Sequence, residues 1–252
     1  MATEYLLDAD IVFFSTYVWN YKINLEIAKN LKKKRASCII IFGGPQVPES
    51  SEEMESFLKK NSFVDIASYG EGEASFLGIL ENFKNKSWEK APAIGFLASD
   101  KRFVYTETGE DQKKLKPASP YLDKIFDSLM KANPNENWSG LVETNRGCPF
   151  SCAYCYWGRR AKKKVCLYDL KRVFREIDWF SKKKIEFVFC CDANFGLFER
   201  DIEIVKKVAE NKKRYGYPKA FSLQNTKNST ERIFKLQKIL NDAGLQRGVN
   251  LA

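Results

Sequence analysis

Along the first hundred positions, short unbroken apolar runs alternate with segments that carry an apolar residue every third or fourth position. Buried strands alternating with amphipathic helices give this pattern. Ile11 to Ser15, Cys38 to Phe42 and Val64 to Ser68 read as strands. Tyr21 to Lys34 reads as a helix with Ile23, Ile27, Ala28 and Leu31 on one face, and a later helix runs through Phe76, Leu77, Leu80 and Phe83. Ser50, with Glu53 three positions on, has the form of a capping box opening a short helix through Phe57 and Leu58. Ile94 to Ala98 and Arg102 to Thr106 flank Ser99-Asp100-Lys101 as a hairpin. Together these predict an α/β fold whose parallel sheet is covered by helices.

Thr108 to Gly140 breaks the rhythm. Pro117, Pro120 and Pro134 stand among polar residues, with one short amphipathic helix around Leu122, Ile125, Phe126 and Leu129, and the segment reads as a linker. The alternation then returns, with a strand-like run from Leu141 and a helix from Tyr168 to Ser181. Strand Ile185 to Cys191, helix Glu199 to Lys213, strand Ala220 to Leu223 and helix Thr230 to Ala243 follow, and Gly248 to Ala252 begins a further strand. Repeated βα units of this kind build a barrel or part of one, with its working face at the carboxyl ends of the strands. Two glycine-rich turns, Gly43-Gly44-Pro45 and Gly70-Glu71-Gly72, fall at the carboxyl ends of neighbouring strands of the first half, where open α/β sheets place a ligand crevice. A small cofactor lying across them, or tight strand-to-helix turns alone, would both satisfy the spacing.

The composition, 44% apolar and 14% aromatic over 252 residues, is that of packed globular domains. No apolar run reaches the roughly 18 residues of a bilayer span, and the acidic start MATEYLLDAD is unlike a signal peptide, so a cytoplasmic location is expected. The net charge of +10 comes largely from lysine runs at the ends of predicted helices, where cations complement the helix dipole. That placement argues against a nucleic-acid surface. One run, Arg159 to Lys164, stands apart beside the cysteine loop.

Seven cysteines without a secretory signal imply reduced thiols, and the absence of histidine excludes Cys/His zinc sites and histidine-based triads. Three cysteines, Cys148, Cys152 and Cys155, share one short loop in Cys-x-x-x-Cys-x-x-Cys spacing, suited to an iron–sulfur cluster or to zinc. A structural zinc ion would take a fourth thiolate from Cys166, Cys190 or Cys191. Cys190 and Cys191, adjacent on a strand, point to opposite faces. Cys38 and Cys166 read as packing residues.

The loop, with its aromatic Tyr154 before the last cysteine, resembles that of the radical S-adenosylmethionine enzymes. GGPQVP at Gly43, YGEGE at Tyr69, SPYLDKIFD at Ser119, ETNRGCPFSCAYCYWG at Glu143 and CDANFG at Cys191 look like the cobalamin-binding branch of that family. The resemblance implies a partial Rossmann-like, cobalamin-binding-type domain over residues 1–106 lacking its first βα unit. A linker over 107–140 follows, then the first half of a radical S-adenosylmethionine partial (β/α) barrel over 141–252, truncated after about three βα units. It implies a [4Fe–4S] cluster held by Cys148, Cys152 and Cys155, with S-adenosylmethionine chelating the fourth iron and undergoing reductive cleavage to a 5′-deoxyadenosyl radical. Tyr154 would lie against the adenine, and Asp192 and Asn194 near the methionine amino group. Gly43, Gly44, Pro45, Gly70, Glu71 and Gly72 would face cobalamin.

An electron donor of flavodoxin or ferredoxin type and a small-molecule or peptide substrate are also implied. The chain departs from the pattern in having no histidine to ligate cobalt, and in its ends, which make it read as a fragment. Two classes of function result: a radical enzyme, for example a cobalamin-dependent methyltransferase, or a non-catalytic remnant that binds zinc or an iron–sulfur cluster or serves as an interaction module.

Overall fold

The computed structural model describes residues 2–109, 118–155, 165–227 and 231–246. The chain divides into two compact units, Met1–Leu115 and Lys116–Ala252, so the expected linker range falls on both sides of the division.

In the first unit, strands β1 (Ile11–Ser15), β2 (Ile39–Gly43) and β3 (Ile66–Ser68) run parallel. The hairpin of β4 (Ile94–Leu97) and β5 (Phe103–Tyr105) extends the sheet antiparallel, in the order β1-β2-β3-β4-β5. Helices α1 (Tyr21–Lys34) and α2 (Ser51–Lys60) cover one face, where Ala28, Leu31, Met54 and Leu58 meet Ile40 and Phe42. Both are crossovers between neighbouring parallel strands, and the right-handed rule puts them on the same side. The opposite face packs Ile39, Ile41 and Ile66 against Ile79 of α3 (Gly72–Glu81) and Trp88. Covered on both faces, β2 needs an unbroken apolar run, and Ile39-Ile40-Ile41-Phe42 supplies it.

Two readings of this half change, at Ile23 and at Ser50, and the structure adds which face of α3 packs. The packed face of α3 is Ser75, Gly78 and Ile79, while Phe76, Leu77 and Leu80 are exposed. The helix lies so close to the chain before β4 that a Cβ on Gly78 would stand 3.0 Å from the Ala91 Cα, and large side chains cannot fit there. Ile23 is likewise turned outward on α1. Ser50 does cap α2, accepting from the Glu53 N–H at 3.3 Å, but the Glu53 carboxylate takes the Ser50 hydroxyl (3.1 Å) instead of the reciprocal backbone bond of a capping box.

Two of the lysines that close α1 are tied down. Lys32 bridges the Cys38 carbonyl (2.8 Å) and Asp65, whose carboxylate also accepts the Ile40 N–H (2.7 Å), and Lys34 pairs with Glu4.

The second unit holds a short helix α4 (Asp127–Ala132) and a parallel sheet of β6 (Ser139–Val142), β9 (Phe187–Cys190) and β10 (Ala220–Ser222), in the order β10-β9-β6. Between β6 and β9 lie the two-residue strands β7 (Asn145–Arg146) and β8 (Cys166–Leu167), paired antiparallel, and helix α5 (Leu170–Lys182). Helix α6 (Arg200–Tyr215) joins β9 to β10, and α7 (Glu231–Asp242) follows. Among the described residues, helices cover one face of this sheet. Val173, Ile177 and Phe180 of α5, Ile204 and Val208 of α6 and Leu236 and Leu240 of α7 pack on Val142, Val188, Cys190 and Phe221. The units are an α/β domain with a Rossmann-like, mostly parallel sheet and the first part of a (β/α) barrel. The strand expected at Gly248 to Ala252 lies outside the described residues. No helix among the described residues is long and apolar enough to cross a membrane.

Candidate functional site

The cysteine loop leaves β6 and returns as β8, and its stem is built from buried polar contacts. Pairing of Asn145 with Leu167 and of Arg146 with Cys166 closes the neck. Glu143 receives both the Arg146 guanidinium (2.9 and 3.1 Å) and the Tyr168 hydroxyl (2.6 Å). Burial, then the Glu143 carboxylate, push the Tyr168 phenol well up, so it stays a donor.

Asp192, just past β9, accepts four bonds from this stem. They come from the Thr144 N–H (2.7 Å) and hydroxyl, the Asn145 N–H (3.2 Å) and the Asn145 side-chain amide (2.6 Å). Burial raises its carboxyl above the usual range and these bonds pull it back. With its oxygens occupied this way and 1% of its surface exposed, Asp192 braces the base of the loop while also lining the cavity beside the cysteines.

Beyond the stem, Cys148, Cys152 and Cys155 line one cavity of about 310 Å³ at the carboxyl ends of the strands. Phe150, Phe189, Cys191, Asp192, Ala193, Asn194, Gln224 and Lys227 form the rest of the wall. Asn194 is buried and its amide donates to the Cys148 sulfur at 3.0 Å. The Lys227 ammonium donates to the Cys152 sulfur at 3.1 Å and to the Tyr154 hydroxyl, and lies 4.4 Å from the centre of the Tyr154 ring. Tyr154 stays outside the cavity wall with its ring exposed. Among the described residues no three Cys, Asp or Glu side chains close on a single point as ligands of one ion would.

Cys190 and Cys191 point to opposite sides, the first fully buried with its thiol pushed well up by burial, the second exposed on the cavity wall. Cys166, expected to pack, is exposed on β8, because a two-residue ribbon has no covered face on which to bury it.

In the first unit, Gly43, Gly44, Gly70 and Gly72 line a cavity of about 280 Å³ together with Phe13, Phe14, Ser15, Ile41, Ser68, Phe76 and Ile79. Pro45 and Glu71, from the same turns, are not on its wall. Gly44 has φ +93°, and a Cβ there would stand 2.8 Å from the Thr16 carbonyl oxygen, so glycine is required. Phe13 and Phe76, 4.5 Å apart between ring centres, form a partly exposed apolar wall.

Lys227, Gln224, Phe189, Phe13 and Phe76 were not singled out as site residues from the sequence. Lys227 lies 75 positions from the cysteine that it touches and carries no motif. A parallel bridge from Phe195 to Asn225 and the Thr226 N–H to Phe195 carbonyl bond (2.9 Å) bring it there.

These features define an α/β protein with a three-cysteine loop over the open end of a partial barrel, and the comparisons agree. No family model matches the chain. It is 31% identical, over 98% of its length, to the 2-(S-pantetheinyl)-carbapenam-3-carboxylate methyltransferase of Streptantibioticus cattleyicolor. It is 30% identical, again over 98%, to the cobalamin-dependent radical SAM methyltransferase TokK of Streptomyces tokunonensis. The chain spans 36% of the length of each. Among solved structures it matches the cobalamin-dependent S-adenosylmethionine radical enzyme OxsB (TM-score 0.64, 17% identity, 97% of this chain and 35% of that one). It also matches the radical S-adenosylmethionine methyltransferase TsrM of Kitasatospora setae (TM-score 0.67, 12% identity, 96% and 48%). The chain is homologous over nearly its whole length to the cobalamin-dependent radical S-adenosylmethionine methyltransferases.

Proposed function

We propose that this chain supplies the cobalamin-binding and cluster-binding parts of a radical S-adenosylmethionine methyltransferase, with Cys148, Cys152 and Cys155 as ligands of a [4Fe–4S] cluster. The observation that carries the reading is the sharing of one cavity wall by these three thiols at the carboxyl ends of parallel strands. The donor set fits the group. Three soft thiols on one loop match the three iron corners that a cubane cluster presents to protein ligands, whereas a structural zinc ion is closed by four donors. When bound, the cluster supplies the electron that cleaves S-adenosylmethionine, and cobalamin carries a methyl group.

The chain's own residues orient and shield. Thr144, Asn145 and Asp192 hold the base of the loop, and Phe150 and Phe189 keep the wall apolar. Tyr154 offers an exposed ring face for an adenine. Asn194, whose N–H is taken by Cys148, keeps its side-chain carbonyl as the acceptor for a methionine ammonium. In the first unit, glycines without side chains and the Phe13–Phe76 wall would seat one face of the corrin, which is wider than the cavity. No histidine of this chain can reach the cobalt, because there is none.

Anaerobic reconstitution with iron and sulfide tests the reading. About four irons and four sulfides per chain and a reduced S = 1/2 signal that S-adenosylmethionine perturbs are expected. One zinc per chain with no cluster, drawing on Cys191 as fourth thiol, would overturn it. For cobalamin, the Co(II) form should lack superhyperfine splitting from a protein nitrogen.

A further inference from the structure

Among the described residues, two N–H donors of the cysteine cavity wall are aimed at sulfur, and they follow different strands. Asn194 follows β9 and donates to Cys148, and Lys227 follows β10 and donates to Cys152. They differ in kind. Asn194 is a buried neutral dipole, whereas Lys227 is a full positive charge at the cavity rim, steadied by the ring and hydroxyl of Tyr154. Resting on the cluster assignment above, we propose that Asn194 and Lys227 form a hydrogen-bonding shell on the cluster's sulfur ligands that makes the cluster easier to reduce, with Lys227 the larger contributor.

The physical basis is charge. Reduction adds one electron from an external one-electron donor, breaks no bond, and leaves the cluster with its thiolates one charge more negative. Donors to the sulfurs stabilise that added charge and raise the potential. A cation within hydrogen-bonding distance does so more strongly than a neutral amide. Because Lys227 stands at the solvent edge, salt should weaken its share, while the buried Asn194 share should hardly change. Lys227 is a tuning residue, acting through Cys152.

The test is the midpoint potential of the anaerobically reconstituted protein, followed by the reduced-cluster resonance without S-adenosylmethionine, with iron and sulfide counted in every sample. Lys227→Met should load as the wild type does and titrate at lower potential. At the wild-type midpoint its reduced-to-oxidised ratio should fall about tenfold, ~59 mV for one electron. Lys227→Arg should restore most of the loss. Asn194→Ala should shift the ratio in the same direction by about threefold. Added salt should narrow the gap between wild type and Lys227→Met.

Equal midpoints in wild type and Lys227→Met, or a shift that Lys227→Arg does not reverse, overturn the inference while leaving the cluster assignment standing. If Lys227→Met does not load, Asn194→Ala decides, an unchanged midpoint counting against the shell. A wild-type chain that takes no cluster overturns the assignment and this inference with it.

Discussion

The two sheets of this protein are closed to different extents. In the first unit both faces of β2 are buried, and its cavity lies by the strand ends and the glycine turns, walled also by Phe13, Ile41, Phe76 and Ile79. In the second unit, the alternate residues of β6 and β9 that point away from the helices include exposed Leu141 and Phe187, and Phe189 opposite Leu141 lines the cysteine cavity. A strand covered on both faces offers a ligand chiefly its carboxyl end. A sheet covered on one face can offer a wall as well. The first site accordingly combines backbone shape at glycine with the Phe13–Phe76 wall, whereas the second rests on what the side chains bring.

Substituting Cys148, Cys152 or Cys155 by alanine should have the largest effect on the second site, abolishing cluster loading as counted by iron, sulfide and visible absorption. Cys190→Ala, on the buried face, should keep the cluster. A full cluster in Cys152→Ala would show that the wall is made otherwise.

For the first site the matching change is backbone. Gly44→Ala forces a β-carbon against the Thr16 main chain at a positive φ, and about 3 kcal/mol of the first unit's stability should be lost in urea unfolding. Gly70→Ala, at φ +69° with nothing within 4 Å of the added carbon, should cost only about 1 kcal/mol. Equal losses at the two would remove the distinction between a crowded and an open turn.

Asp192→Ala leaves the Thr144 and Asn145 donors unpaired in a buried place and should destabilise the second unit by about 3 kcal/mol. The cysteine loop should then become susceptible to proteolysis before the rest of the unit. Loss of stability without loosening of the loop would argue that Asp192 serves the sheet alone.

A further effect, confined to one carboxyl, depends on pH. Asp201, at the start of α6, accepts from the Gly196 and Phe198 N–H groups through Oδ2, while its buried Oδ1 has no partner among the described residues. Burial pushes its carboxyl up to about 6. A folded value above the unfolded one means that the native chain holds the proton more tightly. This contribution is therefore full below about pH 4 and is lost as pH rises through 6, by about 2–3 kcal/mol. The difference in unfolding free energy between wild type and Asp201→Asn should change by that amount between pH 4 and 7, and a flat difference would contradict it.

Strand and helix positions were legible because burial imposes a period on the chain, and β1 and α1 fall at the expected residues. Helix faces were less legible. The apolar stripe Phe76, Leu77 and Leu80 has the right spacing for a core face, yet close approach of a neighbouring segment selects the Ser75–Gly78–Ile79 side. Local spacing can state that a helix is amphipathic but not how near its neighbour comes.

The same division holds for the site. The sequence by itself determined the cysteine loop, its place after a strand and the absence of imidazole, because those are properties of contiguous residues and of composition. Only the tertiary structure decided that Asp192 supports the loop from beneath, that Asn194 and Lys227 reach two of its sulfurs, and that Cys191 faces the cavity while Cys190 is buried. These are meetings of residues tens of positions apart. They are brought about by parallel pairing, whose register is set by which side chains the helices can cover and leaves no mark in the local sequence.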